Sequence, residues 1–161
     1  MKSVTVIAIA FCMAAVALES VRAVPTLQRG FDGGVFYIEI DQNYNWFEAA
    51  HECARKGLQL LEIPDGNKNA VVVDALKSYV GNPRDFWLGA NDEYNRVKDP
   101  NRPFYWSSKG GRVNYSNFAK GEPKNMNSNE HCLHLLANAA GFQWNDKDCA
   151  AKHGFICEAK A

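Results

Sequence analysis

Gly121–Asp146 reads GEPKNMNSNEHCLHLLANAAGFQWND, and it brings Glu122, Asn125, Glu130, Asn145 and Asp146 into one stretch with a Glu-Pro peptide and Cys132. Carboxylates and amides are hard oxygen donors. Calcium accepts about 6–8 oxygens in irregular geometry, so this donor set suits a calcium site carried on a loop. The same residue types also make up ordinary solvated loops, where Asn, Asp, Gly and Pro set turns. The stretch alone leaves both readings standing, and the frame around it decides between them.

The chain of 161 residues opens with Lys2, an apolar run from Val4 to Leu18, and Val21-Arg22-Ala23 ahead of Val24-Pro25. A basic start, a short hydrophobic core and a small-residue exit describe a secretory signal peptide, and the run is short for a membrane span. We expect residues 1–23 to be removed, residues 24–34 to form a short N-terminal segment, and residues 35–158 to form one domain. Loss of Lys2, Arg22 and Glu19 leaves 16 basic and 17 acidic residues, a net charge of −1. That balance offers nothing to nucleic acid or to an anionic membrane surface. Cys12 leaves with the leader, so Cys53, Cys132, Cys149 and Cys157 remain. Four cysteines in an exported chain predict two disulfides, with three pairings open.

Val35–Ile40 (VFYIEI) mixes β-branched and aromatic residues as a strand does, and Asp41–Asn45 is expected to break it. Asn45 and Glu48 have capping-box spacing. Trp46, Ala49, Ala50 and Cys53 then share a helical face, and Gly57 ends the helix. Residues 57–63 read as a short strand. Pro64-Asp65 introduces a second helix with Ala70, Val73, Leu76, Lys77 and Val80 on its pattern, stopped by Gly81 and Pro83. Short aromatic strands follow at 86–90, 104–106, 113–118, 132–136, 142–144 and 154–157. The connections 91–103 and 118–130 are long, and a compact domain seldom carries such loops without a use for them.

The helix-borne Cys53, FWLGAND, Glu122-Pro123, Glu130-His131-Cys132, Trp144-Asn145-Asp146, Cys149 and Phe155-Ile156-Cys157-Glu158 occur in this order. The combination resembles the C-type lectin domain, in its short, secreted invertebrate form. The resemblance implies an α+β double-loop fold, with two helices flanking small antiparallel sheets and a long calcium-binding loop. It also implies the pairing Cys53–Cys157 and Cys132–Cys149, the second closing a short loop for roughly 3 kcal/mol in the chain-entropy model. It further implies a cis Glu122-Pro123 bond. Carried over residue by residue, Glu122, Glu130, Asn145 and Asp146 match calcium ligands of the family's sugar site. The same residues, with Lys124, would meet sugar hydroxyls.

Lys124 departs from the family's pattern, because an ammonium only donates and cannot ligate calcium. Glu122, Glu130 and Asp146 supply three negative charges, and one ammonium leaves two of them uncompensated. The Lys124 ammonium is therefore expected to point to solvent, with calcium among the acids. An auxiliary ion site looks incomplete, since Asp92 is present but Arg96 and Asn125 stand where acids are common in the family, so one ion at most is expected. The implied function is secreted, calcium-dependent binding of glycans or glycoproteins, of pattern-recognition type in innate immunity. The alternative is a protein-binding relative whose sugar site is weakened or lost through Lys124.

Trp87, Trp106 and Trp144 read as core residues rather than sugar platforms. His131 and His134 flank Cys132, but strand alternation separates them and the cysteine is committed to a disulfide, so they are not read as zinc ligands. Asn114-Tyr115-Ser116 is a glycosylation sequon. No nucleophile-base motif, zincin helix or phosphate loop is present, and no enzymatic activity is expected.

Overall fold

Asn45 starts the first helix in the way its spacing predicts. Its side chain accepts from the Glu48 N–H at 2.8 Å, and Glu48 Oε2 accepts from the Asn45 N–H at 2.8 Å. Two N–H groups that would otherwise lack partners are thereby satisfied. Helix α1 runs Trp46–Arg55 and buries Trp46, Ala49 and Cys53. The computed structural model describes residues 26–29, 33–95, 99 and 101–160. The expected leader, 1–23, and Arg96 lie outside the described residues.

In chain order the other elements are β1 (Thr26–Arg29), β2 (Val35–Tyr44), β3 (Leu58–Leu60), α2 (Gly66–Tyr79), β4 (Phe86–Asn91), β5 (Tyr105–Trp106), a 3-10 turn (Met126–Ser128), β6 (Cys132–Asn138), β7 (Gly141–Lys147) and β8 (His153–Ala159). The strands join as one sheet in the order β1-β2-β8-β4-β6-β7, with β3 added to β8 and β5 to β4. Every pairing is antiparallel except that of β4 with β8. Thr26–Arg29, in the short N-terminal segment, pairs with β2 as an edge strand.

Three local expectations are corrected. β2 continues through Asp41 to Tyr44 instead of breaking, with irregular register against β8 between Glu39 and Tyr44. Buried Glu39 accepts from the Asp41 N–H at 3.0 Å there, a side-chain partner for the backbone where the ladder is interrupted. Gly154 makes this approach close: a Cβ on it would lie 2.4 Å from the Glu39 carbonyl oxygen. On α2 the buried residues are Asn69, Val72 and Leu76, while Ala70 and Lys77 are exposed. A Val71-Val72-Val73 run does not single out a face, and Asn69 turns inward because its Oδ1 accepts from Trp144 Nε1 at 3.2 Å. Residues 113–118 form no strand; Phe118 makes only an isolated bridge to Trp144.

Two hydrophobic clusters lie against the sheet. The larger gathers Phe36, Ile38, Leu61, Ile63, Phe86 and Trp144 with neighbours from α2 and the long loops. The smaller packs α1 through Trp46, Ala49 and Cys53 onto Trp87 and Phe155. Trp87 and Trp144 are fully buried and Trp106 nearly so, as expected of core residues. The indole N–H groups of Trp46 and Trp87 donate to the carbonyls of Leu88 and Tyr44, each at 2.8 Å. Cys53 is bonded to Cys157 and Cys132 to Cys149, the pairing implied by the resemblance. The first bond ties α1 to β8, and the second ties the start of β6 to the chain just beyond β7.

Candidate functional site

β6 and β7 bring the sequence-distant donors together. Their antiparallel register sets Leu133 opposite Asp146 and His134 opposite Asn145. The His131 N–H, next to Glu130, donates to the Lys147 carbonyl at 3.0 Å and extends the ladder to Glu130. The loop before β6 folds back onto β7 through Asn125, which is buried in a left-handed conformation with φ of 47°. A non-glycine residue adopts that φ at a cost that Asn tolerates better than most. The Asn125 N–H donates to Asp146 Oδ2 at 2.7 Å, and Asn125 Oδ1 accepts from the Glu130 N–H at 3.0 Å. Asn125 thus positions Asp146 and Glu130 relative to each other. The Glu122-Pro123 bond is cis.

Each proposed donor has a distinct environment. Asp146 is fully buried; its Oδ1 accepts from the Lys124 N–H at 3.1 Å. Glu130 is buried, with Oε2 accepting from the Met126 N–H at 2.8 Å and Oε1 4.0 Å from Lys147 Nζ. Burial pushes the Glu130 carboxyl above the usual range, and the nearby Asp146 charge adds to this. Glu122 Oε1 accepts from Lys124 Nζ at 2.7 Å. Glu122 Oε2 and Asn145 Oδ1 are buried oxygens with no hydrogen-bond partner.

The Lys124 side chain is 42% exposed, as expected of a solvent-facing lysine, but its ammonium is not left to solvent alone. It pairs with Glu122, and this hydrogen bond, reinforced by the charges of Glu122, Glu130 and Asp146, raises its pKa. The charge count from sequence omitted two cations. Arg102 is one: its side chain is 1% exposed, and its Nη2 lies 2.6 Å from Asp146 Oδ2 and 2.7 Å from the Glu130 carbonyl oxygen. Arg102 Nε lies 2.6 Å from Asp92 Oδ2. Lys147 beside Glu130 is the other. With Asp146 compensated by Arg102, the local field leaves Glu122 as the better partner for Lys124.

Asp92 has both oxygens engaged, since His131 Nδ1 lies 2.9 Å from Oδ1 and 3.1 Å from Oδ2. Arg102 therefore cross-links Asp92 to Asp146 with a guanidinium held over the Phe104 ring, 4.7 Å from its centroid. The only sequence signal for Arg102 is an arginine set directly before Pro103-Phe104 in a long loop, which says nothing of its partners. An open polar cleft of about 470 Å³ adjoins Glu122-Pro123, with Arg102, Arg112, Ser116 and Phe118 also in its lining.

The donor set is of the hard-oxygen kind that calcium takes, but among the described residues Glu122, Glu130 and Asp146 do not converge as a ligand group, so an ion would have to draw them together. Two buried oxygens lacking partners carry a desolvation cost that a hard cation would relieve, while both Asp146 oxygens already accept hydrogen bonds, from Lys124, Asn125 and Arg102. Asn114 and Ser116 of the sequon are exposed.

The Lectin C-type domain family model matches residues 42–159. Lectin subunit alpha of Sarcophaga peregrina is 41% identical over 148 residues, covering 92% of this chain and 52% of that protein, so the chain spans about half that relative's length. Salivary C-type lectin 1 of Aedes albopictus is 35% identical over 123 residues, covering 71% of this chain and 75% of that one. Human lithostathine shares the fold, with a TM-score of 0.70 and 24% identity over 92% of this chain and 99% of its own. A fold with Cys53–Cys157 and Cys132–Cys149 closed around the Glu122–Asp146 stretch, and a family match across nearly all of it, lead to one conclusion: the chain belongs to the C-type lectin domain family.

Proposed function

We propose that the protein is a secreted lectin that binds glycans or glycoproteins through calcium held by Glu122, Glu130, Asn145 and Asp146. The observation that carries this reading is the pair of buried, partnerless oxygens, Glu122 Oε2 and Asn145 Oδ1, in the same loop-and-strand patch as two buried carboxylates. Bound calcium would supply a hard Lewis-acid centre to which sugar hydroxyls add as further oxygen ligands. The chain's own groups then orient the sugar. Carboxylates accept from hydroxyls, the Asn145 NH₂ donates, and the Lys124 ammonium can only donate. No turnover is part of this reading.

Secretion is supported by the leader-like residues 1–23 and the two disulfides. Among the described residues no helix is long and apolar enough to cross a membrane. Pattern recognition in innate immunity is proposed from the resemblance to small secreted invertebrate lectins. The first-named relative is itself called a lectin subunit and is longer than this chain, so an assembly with other chains falls within the proposal.

The Lys124–Glu122 ion pair favours a second reading, a protein-binding domain whose sugar site is closed by its own lysine. A glycan array read with calcium and again with chelator separates the two. The proposal expects glycan signals that chelator abolishes. A silent array together with a stable protein complex indifferent to chelator would favour the second reading.

A further inference from the structure

His134, on β6, is 1% exposed, and neither of its ring nitrogens has a hydrogen-bond partner. A buried imidazole normally satisfies at least one nitrogen, so this side chain calls for an explanation. Beside it lies His153 at the start of β8, the rings stacked 4.9 Å apart with 6° between planes, and His153 Nε2 is also buried without a partner. The third neighbour is Asp85, immediately before β4, whose Oδ2 is 3.7 Å from His134 Nδ1, beyond hydrogen-bond reach. The ligand atoms of the three residues lie within 4.8 Å of one another.

The topology makes this cluster. β4 lies between β6 and β8, so both imidazoles pack against the Trp87 ring on β4, at 5.9 and 4.7 Å. Asp85 Oδ1 accepts from the Ala137 N–H at 2.9 Å, which fixes the carboxylate and leaves Oδ2 available. Backbone support of this kind is what orients metal ligands.

We propose that Asp85, His134 and His153 form a binding site for a divalent transition metal of the zinc type, separate from the calcium-ligand residues. Two imidazoles and a carboxylate are a zinc ligand set with one position left for water, and Asp85 and His153 are partly exposed. Hard oxygen-seeking calcium is excluded by two nitrogen donors. Zinc ligands sit about 2.0–2.1 Å from the ion, so the cluster contracts on binding. Because an imidazole nitrogen binds along its ring plane, His153, the less buried of the two, would have to turn out of the stack for both rings to meet one ion. Lys147 is the nearby cation, and its ammonium is directed toward Glu130. Strand alternation argued against His131 and His134 as joint zinc ligands. The partner of His134 comes instead from β8, 19 residues away in sequence.

The test is calorimetric titration of the chelator-stripped, dialysed protein with zinc in buffer containing calcium, alongside Asp85→Asn, His153→Gln and Glu122→Gln. Asp85→Asn keeps the acceptor for Ala137, and circular dichroism verifies folding of each variant. One zinc per chain is expected in the wild type and in Glu122→Gln, with affinity falling roughly 10- to 100-fold or more in the other two. Cobalt in place of zinc should give the visible absorption of a low-symmetry four-coordinate ion. Absence of stoichiometric zinc binding by the wild type overturns the site, as does binding unchanged by both Asp85→Asn and His153→Gln.

Discussion

Arg102 holds its guanidinium between Asp92 and Asp146, all three side chains at most 1% exposed. A buried ion pair gains little net stability over an apolar substitute, but removing one partner strands the other charges. Arg102→Met should therefore cost about 3–5 kcal/mol in urea unfolding, because among the described residues Asp92 keeps His131 alone while Asp146 keeps the N–H groups of Lys124 and Asn125. A loss below about 1 kcal/mol, the scale of an exposed pair, would show that the bridge is dispensable. Arg102 also marks where sequence reading stopped. Glu122, Glu130, Asn145 and Asp146 stand in recognisable contexts, Glu-Pro, Glu-His-Cys and Trp-Asn-Asp. Arg102 and Lys147 carry no context that names their partners, so the charge arithmetic around Lys124 left out two cations.

At the scale of elements, α1 was legible because a capping box and an apolar spacing agree, and β4 because Phe86–Ala90 is a continuous apolar run. α2 was legible in extent but not in orientation: three successive valines blur the face, and Asn69 is buried by a hydrogen bond to Trp144. The histidine pair on β6 and β8 was illegible for a related reason, since pairing across β4 is a property of sheet order. That pair makes a pH prediction for metal-free protein. Burial, with the nearby His153 and Lys147 charges, holds the His134 pKa down to about 3; burial likewise lowers that of His153, against the opposing pull of Asp85. The unfolded chain titrates near pH 6.5, so below that pH it binds protons that the native state does not. Stability should be level above pH 6.5 and fall below it by about 1.4 kcal/mol per pH unit through His134, with His153 adding a smaller loss of the same sign. Denaturant melts from pH 7.5 to 5 are the check, and His153→Gln should flatten the slope. An unchanged midpoint across that range would mean that the imidazoles are not held neutral.

Across the whole molecule, the two disulfides and the sheet order serve one arrangement. The chain folds its last strand beside its first helix, and the loop carrying Glu122–Glu130 is clamped to β7 by Asn125 and by Cys132–Cys149. Calcium dependence rests on whether that patch still calls for a cation when Arg102, Lys124 and Lys147 are counted. The partnerless oxygens of Glu122 and Asn145 are the observation that favours a cation there, and the Lys124–Glu122 pair sets the competition. Calorimetric titration of wild type and Lys124→Asn with calcium reads this out directly. We predict one ion per chain in the wild type, with a dissociation constant on the order of 10⁻⁴–10⁻³ M as in extracellular modules, tightened in Lys124→Asn by an added oxygen and a removed charge. No heat from the wild type, with clear binding by Lys124→Asn, would contradict calcium-dependent recognition and identify Lys124 as the site's own cation.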